Sequence, residues 1–148
     1  MRMMLRGKIH RATVTRADLE YVGSISIDRK LMEAAGIVEW EQVHVLDVTN
    51  GARLTTYAIE APAGSGEICV NGAAAHLVKP GDVVIILNYE GILADRVEDH
   101  HPRLAHVDAA NRLVDLACGE AAVSQFAQRY PHSHAHADEN TVSVGNAG

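Results

Sequence analysis

Apolar and polar residues alternate with a two-residue period through much of the first 90 positions, the signature of strands that bury one face. Lys8-Ile9-His10-Arg11-Ala12-Thr13-Val14-Thr15 predicts a first strand within residues 3–15, with Lys8 and His10 on one face. Residues 16–20 read as a turn, and residues 21–27 as a second extended piece carrying Gly23-Ser24. Asp28 is a good N-cap, Leu31, Met32 and Ala35 form an apolar stripe, and Gly36 suits the end of a two-turn helix. Gln42-Val43-His44-Val45-Leu46-Asp47-Val48 alternates as a strand, and Asn50-Gly51 after it signals a hairpin. The return strand, residues 53–59, sets Arg53, Thr55 and Tyr57 on one face and Thr56 on the other.

A loop at residues 62–66 precedes the strand Glu67-Ile68-Cys69-Val70, and then comes a run of small residues, Asn71-Gly72-Ala73-Ala74-Ala75-His76. Such a run lets backbone amides approach a ligand closely. Lys79-Pro80-Gly81-Asp82 has Pro and Gly in type II order, and residues 83–89 read as a fully buried strand. Residues 90–102 suggest a surface connection, and residues 103–108 and 113–116 a last pair of strands. Beyond Gly119 little fixed structure is expected apart from a frayed helix over residues 121–130, and no repeat of solenoid length stands out.

Composition sharpens this into a mainly β fold with short helices. The 148 residues hold one Phe and one Trp, so a core must rest on Val, Ile, Leu and Ala. The length suits one domain over residues 1–117, followed by a flexible tail over residues 118–148. A net charge of −6 without a basic cluster argues against a nucleic-acid surface. Cys69 and Cys118 have no ligand or redox spacing and read as reduced thiols. Charges at Arg6, Lys8 and Arg11 interrupt the apolar start, so neither a signal peptide nor a membrane span is expected, and the protein is placed in the cytoplasm. His132, His134 and His136 alternate in a polar terminus, and His100 and His101 lie beside Asp99; neither group is read as a metal site.

The chemistry centres on Tyr21-Val22-Gly23-Ser24. A serine hydroxyl held in a strained turn can attack the preceding carbonyl and convert the amide to an ester. Elimination then releases a carboxylate at Gly23, and the dehydroalanine left at position 24 hydrolyses to a pyruvoyl group. Gly-Ser pairs are most often plain turns. A serine-hydrolase reading would pair Ser24 with His10, but the Gly-x-Ser-x-Gly elbow is absent.

The motifs taken together resemble the pyruvoyl-dependent aspartate 1-decarboxylase family: Lys8-Ile9-His10-Arg11, Ala17-Asp18-Leu19, Tyr21-Val22-Gly23-Ser24, Asn50-Gly51 with Arg53, Thr56-Tyr57-Ala58-Ile59 and Asn71 to His76 with Pro80-Gly81-Asp82. The match runs from residue 4 to about residue 89 and thins beyond, keeping Pro102 and Val107-Asp108. The resemblance implies a double-psi β-barrel that cleaves itself between residues 23 and 24. It also implies a homotetramer with sites between subunits and conversion of L-aspartate to β-alanine and carbon dioxide for pantothenate synthesis. Some members need a maturation factor.

Carried over residue by residue, Ser24 becomes the covalent pyruvoyl group, whose imine with aspartate is the electron sink for the carbanion. Arg53 grips the surviving carboxylate, with Lys8 as a second cation. Tyr57 returns a proton. Thr56 assists cleavage at Gly23 and also borders the substrate, which Asn71 and the amides of Gly72, Ala73 and Ala74 hold. A regular strand points Thr56 and Tyr57 apart, so serving one site calls for a strand end or a bulge. The rival class is a non-catalytic β-barrel binding module in which Gly23-Ser24 stays intact.

Overall fold

The alternation seen in the sequence becomes one mixed sheet in the computed structural model, which describes residues 1–119 and Gln128. The strands are β1 (Arg2–Thr13), β2 (Arg16–Asp18), β3 (Ile25–Asp28), β4 (Gln42–Asp47), β5 (Arg53–Ala61), β6 (Ile68–Asn71), β7 (Val83–Ile92), β8 (Arg103–Val107) and β9 (Leu113–Ala117), and helix α1 spans Arg29–Ala35. Short 3-10 turns cover Gly72–His76 and Ala94–Asp99. The order across the sheet is β2-β6-β3-β5-β4-β7-β1-β8-β9. Pairing is parallel for β1 with β8, β2 with β6 and β3 with β5, and antiparallel elsewhere. The expected helix at 121–130 and the alternating tail histidines lie outside the described residues, Gln128 apart.

The two-residue period decides which side is core. On β4, Val43 and Val45 are fully buried while the alternating His44 and Leu46 are half-open. Register carries this across strands: Ile9 pairs with Ile86 and Ile86 with Val45, and all three are fully buried. The neighbouring row on the opposite face reads Lys8, Leu87, His44 and Thr55. Residues 83–89 are therefore not buried throughout, since Val83, Ile85 and Tyr89 on that outer face stay partly open.

Helix α1 starts and stops as predicted. Asp28 Oδ1 accepts from Lys30 N at 2.9 Å, and the same carboxylate takes Gly64 N and Gly66 N at 2.9 Å each, tying the loop at 62–66 to the helix start. Gly36, at φ 71°, closes a Schellman end in which Ile37 N donates to Met32 O at 2.9 Å. β1 crosses this end so closely that a Cβ on Gly7 would sit 1.8 Å from Ala35 O.

Two local readings change. Residues 16–18 form a strand, not a turn, because parallel pairing with β6 satisfies a backbone whose own sequence has little strand character. The hairpin at Asn50-Gly51 is wider than a two-residue turn: Asp47 N donates to Ala52 O, and Asp47 Oδ1 accepts from Thr49 N and Asn50 N. The Lys79 to Asp82 turn is type II as expected, with Gly81 at φ 88° and Asp82 N donating to Lys79 O.

Candidate active site

β3 begins at Ile25, which pairs with Ala58 of β5 on one side and Val70 of β6 on the other. The residues just before it are held in the left-handed region, Gly23 at φ 42° and Ser24 at φ 86°. Glycine adopts this freely; for a serine it costs about 1–3 kcal/mol and persists only where the surroundings impose it. Here they do. Ser24 is 1% exposed, its carbonyl accepts from Asn71 N at 2.9 Å, and its Oγ accepts from Asn71 Nδ2 at 3.3 Å.

The small-residue run packs beneath this bend. A Cβ on Gly72, itself at φ 65°, would stand 2.9 Å from Gly23 N and 3.2 Å from Tyr21 O. Gly72→Ala is thus expected to cost about 2 kcal/mol and to displace Gly23. Urea unfolding measures this; an unchanged midpoint would mean that the 3-10 turn yields freely. On the other side, the Tyr57 hydroxyl lies 3.5 Å from the open Cβ position of Gly23, and the Tyr57 ring stacks on Trp40 with centroids 5.7 Å apart.

Between these walls is a cleft of about 290 Å³, lined by Gly23, Ser24, Thr55, Thr56, Asn71, Ala73 and Ala74, with Leu54 and Leu77. β5 has no bulge at Thr56 and Tyr57, since its register with β4 runs unbroken from Arg53 to Tyr57. Instead β3 stops short. Among the described residues no strand pairs with the β5 edge that faces β3 ahead of Ala58. Side chains from both faces of β5 can therefore border the open edge, where extension of the register sets Gly23 and Ser24 beside Thr56 and Tyr57.

Comparison with known proteins places the chain in a family. A family model described as aspartate decarboxylase matches residues 1–114. A Corynebacterium efficiens protein named aspartate 1-decarboxylase is 56% identical over 116 residues, covering 78% of this chain and 85% of its own. A Gloeobacter violaceus protein named aspartate 1-decarboxylase 1 is 58% identical over 114 residues, 77% of this chain and 97% of its own. This chain belongs to the aspartate decarboxylase family. The match continues to residue 114, past residue 89 where the motif resemblance thins. The mainly β sheet described above agrees with the double-psi β-barrel that the resemblance implies.

The structure gathers Gly23, Ser24, Thr56, Asn71, Ala73 and Ala74 at the cleft, with Tyr57 and Gly72 against Gly23. Arg53 is exposed on β5, on the Tyr57 face. Lys8 is not brought in: it lies three strand spacings from Thr55, about 14 Å along the sheet. Burial lowers its pKa below the usual lysine value. A hollow of about 360 Å³ lies on that outer face, lined by Met3, Gln42, His44 and Tyr89, away from the strained serine.

His10, on the face of Lys8, has its pKa lowered to about 4, first by burial and then by the charges of Lys8, His106 and Arg11. It is neutral at pH 7. Because the folded value lies below the ordinary value of 6.5, the folded state resists protonation. Its contribution is intact above about pH 6.5, is lost as pH falls from there towards 4, and changes no further below. His10→Gln should flatten the acid limb of a stability-pH curve; an unchanged slope over that window would assign the loss to other groups.

Sequence reasoning passed over three residues at the site. Ser26 Oγ accepts from Asn71 Nδ2 at 3.2 Å, Cys69 Sγ donates to Asn71 Oδ1 at 3.2 Å, and Trp40 backs Tyr57. The first two carried a signal, since each stands two positions from a site residue in the same strand direction. Trp40 carried none, because a loop residue's partner is set by the fold.

Proposed function

We propose that this protein is a self-processing aspartate 1-decarboxylase that makes β-alanine and carbon dioxide from L-aspartate in the cytoplasm, with a pyruvoyl group derived from Ser24. The observation that carries the reading is Ser24 itself: a buried serine at φ 86° directly after a glycine, with Asn71 on its oxygen and Tyr57 beside the preceding residue. Strain in the Gly23-Ser24 unit raises the starting energy of the acyl shift, and the open Cα face of Gly23 leaves its carbonyl approachable. Overall, cleavage consumes one water and releases one ammonia, leaving a carboxylate at Gly23 and a ketone at position 24. Thr56, at the cleft, assists this step.

The residues present fit such a group, because position 24 is walled from solvent and faced by donors and small side chains. Such a group at position 24 would supply a carbonyl for the substrate amine and an electron sink for the charge left when carbon dioxide departs. Arg53 holds the surviving carboxylate with its planar fork. Tyr57 returns the proton, and Asn71 with the backbone of Gly72, Ala73 and Ala74 orients the substrate.

Lys8 reaches this chemistry from a neighbouring subunit, since the distance along its own sheet exceeds a lysine's span. A homotetramer that covers the outer face would supply it and would also bury Met3 and Tyr89, which are 68% and 36% exposed in the single chain. Native mass spectrometry on the incubated protein, with a β-alanine assay, tests the proposal. The expected species is a tetramer whose subunits are cut into residues 1–23 and 24–148. An uncut chain after incubation that still binds ligands would instead favour a binding module.

A further inference from the structure

The hydrogen bonds around Asn71 do not end at Ser24. We infer that Cys69 is a positioning residue for self-cleavage, holding the Asn71 amide in the one orientation that serves Ser24 throughout; this rests on the self-cleavage reading above. Arg16 and Cys69 are paired in the β2–β6 register, Cys69 and Ser26 in the β3–β6 register, so one row runs across three strands. Along it Arg16 Nε donates to Cys69 Sγ at 3.4 Å, and Cys69 Sγ donates to Asn71 Oδ1 at 3.2 Å. Asn71 Nδ2 then donates to both Ser24 Oγ at 3.3 Å and Ser26 Oγ at 3.2 Å. Cys69 is fully buried and Asn71 is 3% exposed, so neither can exchange these partners for water.

The direction of the chain follows from the donor inventory. The Arg16 guanidinium can only donate, which leaves the thiol proton free for Asn71 Oδ1. An amide whose oxygen is taken this way must turn its nitrogen to the two serines. That orientation matters because Ser24 Oγ changes character during cleavage. As a hydroxyl it tolerates either a donor or an acceptor beside it; as an ester oxygen, and then as part of a departing carboxylate, it can only accept. An N–H donor suits every stage and meets the charge developing at elimination, whereas a flipped Oδ1 would oppose a lone pair from the ester onward. Cys69 biases the amide against that flip without touching the reacting atoms.

The test follows cleavage from time zero by intact mass, in full-length chains made by brief cell-free synthesis. Cys69→Val and Cys69→Ala, which lack the donor, should cleave about tenfold more slowly than the unaltered chain, the effect of one buried hydrogen bond. Cys69→Ser keeps a donor and should stay within about threefold of normal. If Cys69→Val does not fold, judged by its thermal transition, Cys69→Ala decides. Unaltered rates in the donor-less variants overturn the inference, and so does equal slowing in Cys69→Ser and Cys69→Val, which would reduce Cys69 to packing. An unaltered chain that never cleaves sinks the self-cleavage reading instead, and the role of Cys69 with it.

Discussion

Ser24→Ala should leave the chain at full length and abolish β-alanine formation. The substitution removes the hydroxyl that begins the acyl shift and, with it, the leaving group whose elimination opens position 24 to hydrolysis to the ketone. It should not unfold the protein. Ile25 keeps its pairing with Ala58 and Val70, the Ser24 carbonyl keeps Asn71 N, and Asn71 Nδ2 retains Ser26 Oγ. Alanine at φ 86° carries strain similar to that of serine, so the change in stability should stay within about 1 kcal/mol of one lost hydrogen bond. Intact mass and a β-alanine assay on the same sample decide the matter. A Ser24→Ala chain that still divides between residues 23 and 24 would move the nucleophile elsewhere, and one that stays whole yet makes β-alanine would remove the pyruvoyl group from the mechanism.

Tyr57→Phe should separate making the catalytic group from using it. The ring remains, its stack on Trp40 at 5.7 Å needs no hydroxyl, and the β4–β5 register is carried by backbone. Cleavage should therefore proceed at close to its normal rate. Release of β-alanine should fall by about a hundredfold or more, the worth of a positioned general acid. The fraction cut, measured by mass, and the turnover per cut subunit report the two steps independently. Near-normal turnover would pass the proton to water or another group; failure to cut would place the Tyr57 hydroxyl, 3.5 Å from the open position on Gly23, in maturation.

The sequence by itself determined the class of fold and most of its punctuation. The two-residue period of β4, the Asp28 cap and Gly36 end of α1, and the Pro80-Gly81 turn depend on interactions among residues close in the chain, so they can be read there. It also carried Gly23-Ser24 with Arg53, Thr56, Tyr57 and Asn71, because those motifs are short and recur in order. Tertiary structure alone decided how they meet. Residues 16–18 become a strand because β6 lies alongside, and Ser24 is held at φ 86° with Asn71, 47 positions on, donating its backbone N–H to the Ser24 carbonyl. Whether Thr56 and Tyr57 could share a site turned on where β3 ends beside β5, a property of an edge that neither strand encodes alone. Likewise Lys8, which the family resemblance assigns to the same site, lies elsewhere on the sheet, because the order of strands, and not the order of residues, sets the distance between them.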